Sequence, residues 1–188
     1  MPTPPQSSES IEQAFLEPEQ IVHSLDLRPG NHVADFGAGH GYFTIPMARI
    51  VGGDGKVYAT DIQKSVLDII RAKAKLEHLL NIEFIWADLD QPGGSKLKEK
   101  FIDLVLIANV LFQAEQKYVV LREAYRILRE DGRLTIVEWD ETETPLGPPF
   151  TLRIKKEEAR TLALQAGFEF DREFAAGSHH YGLLFRKR

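Results

Sequence analysis

Apolar positions along the chain alternate between two periods. Short, nearly continuous apolar runs, Asn31–Phe36, Lys56–Asp61, Ile82–Trp86, Phe101–Ala108 and Arg133–Trp139, read as buried strands. Between them lie segments with helical spacing. Phe43–Ile50 follows a glycine loop, Lys64–Leu79 places Val66, Leu67, Ile70, Ala74 and Leu76 at helical intervals, and Lys117–Leu128 carries Val120, Leu121, Ala124 and Leu128. Gly132 is expected to close that last helix. A further helix, Glu157–Ala166, stops at Gly167, and strands follow at Glu169–Ala175 and Tyr181–Arg186. Upstream, Pro18 opens a helix with Ile21, Val22 and Leu25 on one face, ended by Pro29-Gly30.

Strands alternating with helices predict an α/β fold. The expected architecture is a Rossmann-like, mostly parallel, seven-stranded sheet with helices on both faces. Only a short link containing Gly-Ser-His-His lies between the last two strands, too little for a crossover helix, so they should form an antiparallel C-terminal hairpin. Residues 1–10, rich in Pro, Ser and Thr, read as a flexible leader, and 11–188 as a single domain.

Composition narrows the function. A chain of 188 residues, 43% apolar and 27% charged, is an ordinary globular protein with room for one core. The absence of cysteine excludes disulfides, thiolate metal sites and cysteine nucleophiles. No apolar run is long enough to span a bilayer and no signal-peptide pattern is present, so a cytoplasmic location is expected. A net charge of −5 disfavours nucleic acid as a partner. The basic clusters Lys96, Lys98, Lys100 and Arg186, Lys187, Arg188 read as solvated faces or ends.

The densest chemical signal is VADFGAGHGYF, Val33 to Phe43. A strand stops at a turn where Gly37, Gly39 and Gly41 carry no Cβ, so a ligand can approach the backbone beside the next helix. The spacing is G-x-G-x-G, whereas a dinucleotide fingerprint needs G-x-G-x-x-G. Asp61 ends the second strand, where a carboxylate can accept from both hydroxyls of a ribose. Asp88 ends the third, where it can accept from an adenine amino group. Each aspartate is also a reasonable turn residue.

These segments resemble the class I S-adenosylmethionine-dependent methyltransferases, particularly the group compared with ubiquinone/menaquinone methyltransferases. The likeness runs from about Glu19 to Lys187. It is carried by VADFGAGHGYF, VYATDIQ, IWADLDQP, FIDLVLIANVLFQ and LREDGRLTIVEWD, in that order. The resemblance implies S-adenosylmethionine as cofactor, S-adenosylhomocysteine as product and a small-molecule methyl acceptor. It further implies that Gly37, Gly39 and nearby backbone border the methionine portion, that Ala38, Gly41 and Tyr42 also belong to the cofactor site, and that Asp35 supports the loop. Asp61 would bind ribose, Ile62 pack on adenine, Asp88 and Leu89 read the adenine edge, and Asn109 face the methyl donor. The turn after the fourth strand reads ANVLFQ and not Asn-Pro-Pro-Tyr, which argues against methylation of adenine in nucleic acid.

For the acceptor wall the candidates are Phe15, Phe112, Gln113, Trp139, Asp140, Phe150, His179, His180 and Tyr181, with Glu141–Thr151 as a lid or a plain proline-stiffened connection. His179, His180 and Asp140 are the candidates for a general base, and no metal site is expected. Two other classes fit the residues less well or less fully. A dehydrogenase is disfavoured by the loop spacing, Asp88 and the hairpin; a non-catalytic cofactor-binding or scaffolding protein of the same fold stays open.

Overall fold

The computed structural model describes residues 16–142, 144 and 147–188. The expected leader, Phe15 and three positions of the proposed lid (143, 145 and 146) lie outside the described residues.

The elements in chain order are α1 (Pro18–Ser24), β1 (His32–Phe36), α2 (Thr44–Val51), β2 (Lys56–Asp61), α3 (Lys64–Leu76) and β3 (Ile82–Trp86). They continue with β4 (Ile102–Ala108), α4 (Lys117–Ile127), β5 (Leu128–Trp139), α5 (Lys156–Gln165), β6 (Glu169–Ala175) and β7 (His180–Arg186). The sheet has seven strands in the order β3-β2-β1-β4-β5-β7-β6. The first five are mutually parallel, and β7 enters antiparallel between β5 and β6. The expected Rossmann-like sheet with its terminal hairpin is the observed one.

Alternation along the strands sends side chains to two cores. On one face Val105, Ile107, Leu134 and Ile136 pack with Val120, Leu121 and Ala124 of α4 and Ala159 and Ala163 of α5. On the other, Val33, Leu104, Leu106 and Val137 meet α1 and α2 through Ile21, Val22, Met47 and Val51. Helix α3 adds Leu67, Ile70 and Ala74 against Ala59. Each such Val, Leu, Ile or Met side chain contributes about 1.5–3 kcal/mol on burial, so the helical spacing in the sequence is enforced by packing.

Three details differ from the sequence expectation. Leu76 follows the helical spacing but is 81% exposed, because α3 ends there and turns its last residue outward. Strand β5 begins at Leu128 rather than after Gly132. Leu128 pairs with Ile102, the register then shifts, and Asp131 takes a left-handed φ of 61°. The backbone of Asp131 and Gly132 bonds to Lys187, so the turn is absorbed into the sheet edge as a bulge. Lys187 itself is buried, not a solvated end. Its ammonium donates to the carbonyls of Tyr125 (2.8 Å) and Leu128 (2.7 Å), groups that the end of α4 leaves without helical partners.

Strand order reverses between β1 and β4. Their C-terminal ends diverge into separate crossovers, leaving a crevice at the carboxyl edge of the sheet. Among the described residues no helix is long and apolar enough to cross a membrane. None of their His, Asp and Glu side chains form a cluster of three that could hold a metal ion.

Candidate active site

The crevice is a cleft of about 500 Å³. Its floor is the turn after β1. Gly37 has φ 71° and Gly39 φ 49°, values that favour glycine. The amides of Gly37 and Ala38 both donate to the Thr60 carbonyl at 2.9 Å, which fastens the turn to the end of β2. A Cβ built at Gly37 would stand 2.4 Å from Cγ2 of Val110, so the turn after β4 closes on bare backbone.

Asp61 completes the corner. Its Oδ2 accepts the Gly39 N–H at 3.0 Å and its Oδ1 accepts the Gln63 N–H at 2.8 Å. The side chain is 9% exposed and lines the cleft, so the same carboxylate that ties the two turns together still faces a ligand. Ile62 beside it is 59% exposed, an apolar surface in contact with the cleft. The opposite wall is the start of the β3–β4 connection, where Asp88 and Leu89 line the cleft. Asp90 reaches across to accept the backbone N–H groups of Gln116 (2.8 Å) and Glu115 (3.3 Å), capping the approach to α4.

Asp35 lies deepest. Thr44, the first residue of α2, donates to its Oδ2 at 2.5 Å. Burial, partly offset by that hydrogen bond and reinforced by the nearby Asp61 charge, pushes its pKa up to about 7. At the fourth side Asn109 has φ 56°, and its Oδ1 is buried without a hydrogen-bond partner. Its carbonyl accepts from the Gln113 side chain at 2.9 Å.

The structure brings together Asp35, Gly37, Ala38, Gly39 and Tyr42 with Asp61, Ile62, Asp88, Leu89 and Asn109 around this one space. Gly41 stands outside the lining; a Cβ there would meet Ile70 of α3 at 3.1 Å, so its place is in helix packing. Of the acceptor-wall candidates among the described residues, only Gln113 lines the cleft. Phe112 packs on the α4 core and Phe150 is exposed. Tyr181 donates to the Ile154 carbonyl at 3.0 Å.

The base candidates also sit elsewhere. Asp140 accepts from the Thr142 N–H at 2.9 Å, and His179 bonds Ser178 at 2.7 Å. His180 is buried against Trp139, with ring centroids 4.2 Å apart and neither ring nitrogen hydrogen-bonded. Burial pushes its pKa down to about 4. Arg153 holds the segment above this pair by donating to the carbonyls of Asp140, Thr142 and Pro148.

Residues not singled out in the sequence include Leu16, His40, Glu115, Thr44 and Glu138. Glu138 had a signal: it is the one charged residue within the strand core LTIVEW. It is fully buried, and desolvation outweighs its backbone hydrogen bonds to push its pKa up to about 8.

A doubly wound sheet with β7 antiparallel between β5 and β6, a glycine turn after β1, an acid at the end of β2 and a cleft at the strand-order reversal match the fold of the class I S-adenosylmethionine-dependent methyltransferases. Comparison with known proteins gives the family. The methyltransferase-domain profile matches residues 27–177, and the chain belongs to that family. It is similar to the ubiquinone/menaquinone biosynthesis C-methyltransferase UbiE of Vibrio campbellii, 31% identical over 113 residues. That match covers 60% of this chain and 42% of the relative, so the chain spans less than half the length of that protein. A solved S-adenosylmethionine-dependent methyltransferase from Aquifex aeolicus superposes with TM-score 0.85 at 22% identity, covering 98% of this chain and 100% of the other. The [4+2]-cyclase SpnF superposes with TM-score 0.76 at 16% identity over 90% of this chain and 79% of its own. The same fold is therefore found in a protein described as a cyclase.

Proposed function

We propose that the chain binds S-adenosylmethionine in this cleft and transfers its methyl group by direct displacement to a small-molecule acceptor, releasing S-adenosylhomocysteine. The observation that carries this reading is the Asp61 carboxylate, tied to the glycine turn through Gly39 and still open to the cleft. The residues fit the cofactor. Asp61 offers its remaining lone pairs to ribose hydroxyls, Ile62 an apolar face to the adenine ring, and Asp88 an acceptor to the adenine amino group. At Gly39, where a built Cβ meets nothing nearer than the Gly37 carbonyl oxygen at 4.0 Å, the backbone is open to a close approach, while Gly37 is bare so that Val110 can pack on it. Asp35 and the unpartnered Oδ1 of Asn109 are acceptors suited to an ammonium group.

Bound there, the cofactor supplies an electrophilic methyl group, so the chain has only to orient the acceptor and exclude water. The charge of the lining restricts the acceptor. Asp61, Asp88, Asp90 and Glu115 line the cleft beside the half-neutral Asp35, and no lysine or arginine does so among the described residues. A carboxylate or phosphate ester would meet repulsion, so a neutral or cationic acceptor fits.

The test is calorimetric titration with S-adenosylhomocysteine, followed by release of that product from S-adenosylmethionine with a panel of neutral, cationic and anionic acceptors. Binding with turnover of a neutral or cationic acceptor is expected. Failure to bind overturns the cofactor assignment. Binding without turnover of any acceptor favours a cofactor-binding scaffold.

A further inference from the structure

One carboxyl group lies in the interior of the sheet, where its neighbours in β5 are Ile136, Val137 and Trp139. Glu138 is fully buried, and its Oε2 has no hydrogen-bond partner. A chain needs a reason to keep such a group, since burying it costs several kcal/mol unless it is used. Its other oxygen shows the use. Oε1 accepts the backbone N–H of Val110 at 2.9 Å and that of Leu111 at 2.6 Å. These amides have left β4, which ends at Ala108, and α4 does not begin until Lys117. No strand or helix carbonyl is placed to take them, so the carboxyl does.

The clamped segment is a functional one. Asn109, immediately before it, holds a left-handed φ of 56°, a conformation that costs an asparagine less than most residues but is not its preferred one. Its own N–H donates to Val137 at 2.9 Å, so consecutive residues of β5 hold consecutive residues of the turn. Val110, next along, closes on Gly37.

We propose that Glu138 is a positioning residue for the cofactor cleft. Its carboxyl holds the turn Asn109–Leu111, and the turn in turn sets Val110 against the glycine loop and Asn109 at the cleft wall. Glu138 itself does not line the cleft. The proposal rests on the reading of the cleft as a cofactor site.

Three variants separate this role from general stability: Glu138→Gln, Glu138→Asp and Glu138→Ala. Each is compared with the unaltered chain by thermal unfolding, by amide exchange at Val110 and Leu111, and by S-adenosylhomocysteine affinity. Glu138→Gln keeps an acceptor at the same reach and is expected to bind within threefold of the unaltered chain. Glu138→Ala is expected to melt cooperatively, to expose the two amides to faster exchange and to bind at least tenfold more weakly. If Glu138→Ala fails to fold, Glu138→Asp, one methylene short of the turn, carries the comparison and is expected to weaken binding and speed exchange.

Unchanged exchange and affinity in the folded Ala or Asp variant overturn the proposal, as does a Gln variant as impaired as Ala. An unaltered chain that binds no S-adenosylhomocysteine overturns the cofactor reading instead, and the exchange at Val110 and Leu111 then decides the clamp alone.

Discussion

Cγ2 of Val110 and a Cβ at position 37 cannot occupy their places together, since only 2.4 Å would separate them. The turn after β4 and the glycine loop after β1 are thus one packed unit. Gly37→Ala adds this clash to the strain of a side chain at φ 71° and is expected to destabilise the chain by about 1–3 kcal/mol in chemical denaturation. Trimming the partner, with Val110→Ala in the same chain, should recover part of that loss. A double variant no better than the sum of its singles would show that the contact is not shared.

Asp61 anchors two backbone N–H groups and faces the cleft at once. Replacing it by alanine removes both anchors and the proposed ribose acceptor. A loss of about 10–100-fold in S-adenosylhomocysteine affinity is expected, equivalent to about 1.4–3 kcal/mol. Isothermal titration measures it directly, with unfolding midpoints reporting whether the fold survives.

Two buried carboxyls make the ligand-free chain sensitive to base. Asp35 and Glu138 hold their protons more tightly folded than unfolded, with pKa values of about 7 and about 8, chiefly because burial disfavours their charged forms. Such groups stabilise fully below their unfolded pKa values, and that contribution is lost as pH rises towards the folded ones. Stability should therefore fall from about pH 4 upwards, with Asp35 levelling off near 7 and Glu138 near 8, and the double variant Asp35→Asn, Glu138→Gln should flatten that part of the curve. Denaturation midpoints across the window check it.

His180 acts on the acid side. With its folded pKa lowered to about 4 by burial, it contributes stability above the ordinary histidine range and loses it as pH falls from about 6.5 towards 4. Both ring nitrogens are buried and unpartnered, so His180→Phe, which keeps a ring against Trp139, should stabilise the chain by about 1–2 kcal/mol at neutral pH and remove the acid limb. Because His180 does not line the cleft, the proposed methyl transfer should change by less than twofold. A large loss of turnover without loss of stability would restore it as a base.

The fold was legible because its signals are local and repeated. Apolar runs gave the strands, helical spacing gave the helices, and the short link between the last two strands left no topology but a hairpin. Asp61 and Asp88 could be found because acids at strand ends fall at the carboxyl edge of a parallel sheet. The remainder depends on distance in space. Leu76 obeys the helical period and yet faces solvent, since periodicity records a face and not where the helix stops. Lys187 looked like a charged terminus, but the open carbonyls it satisfies lie about sixty residues away in sequence, at the end of α4. Likewise nothing near Glu138 in the sequence announces the turn at Val110, and nothing near His180 announces that it is packed away from the cleft.

The connection leaving β3 has a different consequence. Gly94 packs so closely on the start of its own loop that a Cβ would lie 1.8 Å from the Asp88 carbonyl oxygen. The adjoining Gly93 and Ser95 amides are pinned by the buried Glu123 carboxylate, at 3.2 and 3.1 Å. A side chain at Gly94 would therefore displace the Asp88 backbone, and because Glu123 belongs to α4 the loop and that helix would move together. Gln113 and Glu115, by contrast, line the cleft with exposed side chains that can be exchanged without such a displacement.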